Sequence, residues 1–161
     1  MRPGVRLGID VGRARVGVAR SDSAAVLAVP VETVARSADG DADLRRILEI
    51  ADEHGAIELV VGNPLSLSGA VTASTEDAIA FAARLAGAAG ADRPVRLVDE
   101  RLSTVTAQQH LRASGKKARQ QRPVIDQAAA VIILQHAIDA ERASGSAPGR
   151  VLSSDEGPVP P

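Results

Sequence analysis

Cysteine is absent from the 161-residue chain. Disulfides and thiolate-held metal centres are therefore excluded, and stability has to come from an ordinary core. The same absence fits a reducing compartment, and a cytoplasmic protein is expected. Tryptophan and tyrosine are missing too, and Phe81 is the one aromatic residue, which excludes a nucleic-acid surface built on base stacking. Charge of one sign is not in excess: 19 lysines and arginines stand against 20 aspartates and glutamates, a net charge of −1. No global field steers a polyanion, so any basic character has to be local. No apolar run approaches the roughly 20 residues of a membrane-spanning helix, and no membrane association is expected. Met1-Arg2-Pro3-Gly4 leads directly into a strand-like segment, without a signal-peptide pattern.

What is present reads as one globular domain. A chain of this length buries about 70% of its unfolded surface. Val5, Leu7, Ile9 and Val11 alternate with Arg6, Gly8, Asp10 and Gly12, the period of a strand with two distinct faces. Segments 14–21 and 27–35 continue as strands, and short turns make the three an antiparallel meander. Leu44, Ile47, Leu48 and Ala51 form the stripe of a helix over 41–53. Residues 57–62 (IELVVG) form a buried strand, 72–89 a second helix and 95–98 a fifth strand. A short helix is expected over 103–113, a basic loop over 114–122, and a last helix from Pro123 to about Ala143. The expected fold class is α/β: a mixed five-stranded sheet, three strands in the meander and two parallel, flanked by helices. The domain occupies 1–143. The Ser-, Gly- and Pro-rich segment 144–161 is expected to be a disordered tail.

Three carboxylates fall where carboxylates are costly. Asp10 lies within a central strand between Gly8 and Gly12; it is either a turn-forming aspartate or a carboxylate that a ligand can approach closely. Asp126 shares a helix stripe with Ala129, Ala130, Ile133, Leu134 and Ala137. Either it complements a helix N-terminus or it faces the core side and needs a cation or proton. Glu100 closes the fifth strand beside Asp99 and Arg101, as a solvated acidic pair or at the strand end where open α/β sheets place ligands. Two strands and one helix can bring the three to one sheet edge, and an all-oxygen set favours Mg²⁺ or Mn²⁺ over Zn²⁺. His54, His110 and His136 are far apart in sequence and read as structural or surface residues.

Residues 112–122 hold Arg112, Lys116, Lys117, Arg119 and Arg122 without an acidic residue. Beside an acidic pocket this is a local positive patch suited to phosphates, or else a solvated connector. Arg13, Arg15 and Arg20 of the first hairpin extend the track. The loop 62–69 (GNPLSLSG) lacks the Lys-Ser/Thr of a P-loop.

Four segments in order, GIDVGRARVGVA (8–19), VVGNPLSLSG (60–69), DERLSTVTAQ (99–108) and IDQAAAVIILQ (125–135), resemble the YqgF/RuvX family, described as Holliday-junction resolvases and as nucleases maturing the small-subunit ribosomal RNA precursor. The resemblance covers about residues 5–140. It implies a ribonuclease H-like fold and divalent-metal hydrolysis of phosphodiesters, with Asp10, Glu100 and Asp126 as catalytic metal ligands. In the expected arrangement Asp10 lies between two ions, and Glu100 and Asp126 complete their shells. Arg13, Arg101, Lys116, Lys117, Arg119 and Arg122 are the expected nucleic-acid contacts. Branched DNA or precursor ribosomal RNA is the expected partner, with a homodimer as the assembly considered. Asn63 departs from the apolar residue usual before that proline. Two rival readings are a sugar-kinase-like phosphate hairpin, for which the chain has no second lobe, and a non-catalytic binding module of the same fold.

Overall fold

The structure, a computed structural model, describes residues 2–64, 71–99 and 118–152, and for 118–126 the backbone alone. The elements are β1 (Arg6–Val11), β2 (Arg15–Ser21), β3 (Ala28–Ala35), α1 (Ala42–His54), β4 (Glu58–Asn63), α2 (Ala73–Ala89), β5 (Val95–Asp99), α3 (Ala118–Ser144) and β6 (Arg150–Leu152). One mixed sheet runs β3-β2-β1-β4-β5-β6. The meander β1-β2-β3 is antiparallel, while β4 and β5 join β1 in parallel through crossovers over α1 and α2.

Alternation along the strands sorts the core into two layers. Leu7, Ile9, Leu59, Val61, Val95 and Leu97 face α1 and α2, where Leu44, Ile47, Phe81 and Leu85 meet them. Val60 and Val98 face the other way, onto Ala130, Ile133, Leu134 and Ile138 of α3. Each fully buried Leu or Ile contributes about 1.5–3 kcal/mol, so both faces hold substantial stabilisation. The helix starts and stops are local. Thr72 caps α2 by accepting from the Thr75 N–H at 3.3 Å, and Thr75 Oγ1 donates to the Pro64 carbonyl at 2.8 Å, which ties the helix to the end of β4. Gly55 ends α1 in the left-handed region at φ 62°.

Where the chain enters the parallel strands, charges are buried on the α3 face. Arg6, Glu58 and Glu141 are 1%, 2% and 4% exposed. Arg6 Nη2 lies 3.1 Å from Glu141 Oε2, Arg2 Nε 2.6 Å from Glu141 Oε1, and Arg2 Nη1 and Arg96 Nε each 3.2 Å from Glu58 Oε2. Each carboxylate thus meets two guanidiniums, which offsets the desolvation of the set. The network fastens the C-terminal half of α3 to β1, β4 and β5.

Two expectations are corrected. The sheet has six strands rather than five: Arg150–Leu152, in the segment expected to be disordered, pairs antiparallel with Val95–Leu97. Gly149 makes this approach possible, because a Cβ there would run into the Leu97 carbonyl. The stretch expected as a basic loop through Arg122 is helical from Ala118, and Pro123 stands in the second turn of α3 rather than opening it. The short helix expected over 103–113 lies outside the described residues.

Candidate active site

Asp10 is 9% exposed and lies one residue before the end of β1. It pairs with Gly17 of β2, which pairs with Thr33 of β3. Cross-strand partners share a face, so Asp10, Gly17 and Thr33 form one row on the α3 side of the sheet. Gln127 Nε2 of α3 donates to Thr33 Oγ1 at 2.9 Å, which fixes that part of the helix over the row.

A second anchor sits one step back along β1. A Cβ on Gly8 would lie 2.6 Å from Leu134 Cβ and 2.7 Å from the Ala130 carbonyl oxygen. Only glycine lets the helix backbone come this close. Space beside Gly8 was expected to admit a ligand to Asp10; it is instead filled by α3. The helix runs antiparallel to β1, with Glu141 beside Arg6 and Ala130 and Leu134 beside Gly8. Two strand residues rise ~6.7 Å and one helical turn ~5.4 Å. Moving from Gly8 to Asp10 therefore matches moving from Ala130 to position 126. The C-terminal end of β5 is also near: Ile9 pairs with Val61, and Asn63 with Asp99, so Asp99 is one row beyond Asp10, and Glu100 is the next residue in the chain.

The β1–β2 turn projects from the same end. Gly12 N–H donates to the Arg15 carbonyl at 2.9 Å, and Arg13 is exposed at the turn. Arg13, Val11, Gly12 and Arg36 line a cavity of about 500 Å³ that is closed on its far side by Ala73, Ser74 and Asp77 at the start of α2. Hydrogen bonds with Asp77 drive the Arg36 guanidinium further towards its charged form, with burial opposing them. Sequence reasoning did not single out Arg36, and nothing in the spacing of an arginine after a strand marks it.

The remaining expected site residues divide cleanly. Asp126, Arg119 and Arg122 lie on the described backbone of α3, and the helix carries no acidic residue in its first turn. Glu100, Arg101, Lys116 and Lys117 lie outside the described residues. Arg20 leaves the track: it pairs with Leu7, on the opposite face from Asp10 and towards the other end of the strand. His136 is exposed on α3 and His54 closes α1, as surface and helix-end residues. Asn63 sits at the end of β4, and its Oδ1 is buried without a hydrogen-bond partner among the described residues. Described residues alone contain no group of three His, Cys, Asp or Glu able to hold a metal ion, and none of the described helices is long and apolar enough to cross a membrane.

Known proteins are similar to this chain in sequence and in fold. A protein named "Putative pre-16S rRNA nuclease" from Clavibacter sepedonicus is 63% identical over 152 residues, covering 94% of this chain and 93% of the relative. One of the same name from Leifsonia xyli is 61% identical over 158 residues, covering 98% and 100%. Among solved structures, Thermus thermophilus RuvC in complex with Holliday junction substrate superposes with a TM-score of 0.52 at 19% identity, covering 92% of this chain and 99% of that one. A second T. thermophilus RuvC structure gives 0.50 at 20% identity, with the same coverage. These matches show the fold to be that of RuvC-like, ribonuclease H-type nucleases. The family model described as RuvX, Holliday junction resolvase, matches residues 4–140, and the chain belongs to the RuvX family.

Proposed function

We propose that the protein is a divalent-metal-dependent endonuclease that hydrolyses phosphodiester bonds in structured nucleic acid, with Asp10, Glu100 and Asp126 as its catalytic acidic set. The observation that carries this reading is the seating of α3 on β1. The close approach at Gly8 and the Gln127–Thr33 hydrogen bond support position 126 being level with Asp10, at the end of the sheet where β5 finishes at Asp99, the residue before Glu100 in the sequence. Three acids gathered at one end of the sheet would raise one another's cost of ionisation, which a bound cation offsets.

The donor set is oxygen only and contains a largely buried carboxylate, which fits Mg²⁺ or Mn²⁺. Asp10, Glu100 and Asp126 would hold the ions. When bound, such ions polarise the scissile phosphate and lower the pKa of an attacking water. The chain's own residues do the rest. Asp10 is held rigidly because its strand is hydrogen-bonded on both sides and packed on both faces. Arg119 and Arg122 add formal positive charge at the positive end of the α3 dipole, a combination that favours phosphate groups. Arg13 extends the track onto the first hairpin. Lys116 and Lys117 belong to the same acid-free basic run of the sequence, and Arg101 follows Glu100.

The names of the close relatives favour the precursor of 16S ribosomal RNA as substrate, and the family description favours a four-way DNA junction. Either substrate would be met in the cytoplasm, the location this reading assigns to the protein. A junction offers two symmetric cleavage positions, which a homodimer would match. Purified protein with Mn²⁺ is expected to cut at least one of the two substrates. Cleavage should stop in excess chelator and fall by about three orders of magnitude or more in Asp10→Asn, the scale of losing a principal transition-state contact. Undiminished cleavage by Asp10→Asn, or in chelator, would remove the acidic set from the chemistry.

A further inference from the structure

Arg36 follows β3 and reaches three elements at once. Its N–H donates to the Ala14 carbonyl at 2.9 Å. Its Nη1 donates to the Gly12 carbonyl at 2.9 Å, and Nη1 and Nη2 lie 2.9 and 3.1 Å from the two carboxylate oxygens of Asp77 on α2. The guanidinium stacks on Phe81, 5.1 Å from the ring centroid, and Asp43 of α1 is 3.8 Å from Nε. Gly12 and Ala14 flank Arg13, so two of these hydrogen bonds bracket that residue within the turn. The charge of Arg36 is answered inside the fold by Asp77 and Asp43. Arg13, by contrast, is exposed and has no carboxylate partner among the described residues.

We propose that Arg36 is a positioning residue for substrate binding: it clasps the β1–β2 turn to α1 and α2, so that Arg13 is presented in one orientation to a phosphate of the nucleic acid at the Asp10 edge. This rests on the nuclease reading above. A two-stranded turn left free would have to be ordered on binding, at a cost in affinity that a preformed turn avoids. Lysine cannot replace the clasp, because a single ammonium cannot serve the Gly12 carbonyl, both Asp77 oxygens and the Phe81 face together.

The test is binding of a synthetic four-way DNA junction at several salt concentrations, with circular dichroism to check each variant's fold. Arg13→Ala should flatten the log–log salt slope by about 0.9, the signature of one lost phosphate contact. Arg36→Lys should flatten part of the same slope and weaken binding about two- to tenfold, the cost of ordering one long side chain. The decisive variant combines the two and should bind like Arg13→Ala alone, because Arg36 acts only through Arg13. An additive loss, or a wild-type slope in Arg36→Lys, overturns the proposal and leaves Arg36 as a fold residue. A wild-type slope in Arg13→Ala also overturns it by removing the turn from the interface, while the nuclease reading still stands or falls on Asp10→Asn. Should Arg36→Lys fail to fold, Asp77→Asn decides in its place: it should give a smaller loss in the same direction, vanishing in the Arg13→Ala background.

Discussion

Single residues at the open end of the sheet pull in opposite directions. Asp10, proposed for the chemistry, is kept in a largely buried row, whereas Asn63 is a polar residue closing a buried strand. The buried Oδ1 of Asn63 has no hydrogen-bond partner among the described residues. An acceptor that loses its bond to water and receives none in return costs about 1–3 kcal/mol. Asn63→Leu is therefore expected to stabilise the protein by about 1 kcal/mol, seen as a higher urea midpoint at unchanged m-value. A lower midpoint would show that the amide has a partner the fold depends on. Asp10 was legible in the sequence because its alternation partners were unambiguous. The unpartnered amide oxygen of Asn63 was not, because it depends on what packs against the end of β4.

At the scale of elements, the fold turns on how α3 meets the sheet. Gly8 sets the distance. In Gly8→Ala the new Cβ would press on the Ala130 carbonyl and on Leu134 Cβ, and the carbonyl belongs to helix backbone that cannot rotate away. Overpacking of this kind costs about 1–3 kcal/mol, and the helix has to shift. Catalytic groups tolerate displacements of only about 0.5 Å. Gly8→Ala should thus lose single-turnover rate more than junction affinity. Equal losses in both would mean that α3 sets no catalytic spacing. The buried ion network sets the register of the same helix. Burial alone would raise the Glu141 carboxyl, but hydrogen bonding to Arg2, with the charges of Arg2 and Arg6, holds it below its ordinary value. A depressed carboxyl stabilises the fold fully above its unfolded pKa, near 4.5, and the contribution is lost as pH falls through the lower folded value. Glu141→Gln leaves the buried Arg6 without its carboxylate and should cost about 3 kcal/mol at pH 7, the lower end for a broken buried pair because Arg2 is partly exposed. The gap between wild type and variant should close as pH is lowered below 4.5. A gap constant with pH would mean that Glu141 acts through packing alone.

For the whole molecule, near-zero net charge means that binding depends on where charges are placed rather than on how many there are. Of the cations proposed to hold nucleic acid, Arg119 and Arg122 belong to α3 and Arg13 to the first hairpin. Arg2, Arg6 and Arg96 are consumed by Glu58 and Glu141 at the other end of the sheet. Binding and chemistry should therefore separate. Changing both Arg119 and Arg122 to Ala should flatten the junction salt slope by about 1.8, at about 0.9 per phosphate contact, with the rate at saturation largely kept. Asp126→Asn should do the reverse, retaining affinity while the single-turnover rate collapses. An unchanged slope in the double-alanine protein would make the start of α3 a solvated surface and move the track to the first hairpin.

Periodicity by itself determined the elements whose pattern is local. The meander and the register of Asp10 on β1 followed from alternation of period two. The inner faces of α1, α2 and α3 followed from helical stripes, and the Ala129–Ala137 stripe that carries position 126 is buried as its spacing required. Four short motifs identified the family. Tertiary structure decided what depends on contacts between residues distant in sequence. A three-residue strand in a Ser-, Gly- and Pro-rich segment has no periodicity to read, and β6 exists because Gly149 lets it reach β5. Helix α3 starts at Ala118 although its first charges resemble a connector and Pro123 suits the first turn of a later helix. Gly8 reads in sequence as open space, and only the helix lying on it shows that its missing side chain brings α3 within reach of Asp10. Arg36 has no sequence signature, because its role consists of partners contributed by the β1–β2 turn, α1 and α2, which become neighbours only when the sheet and its covering helices have formed.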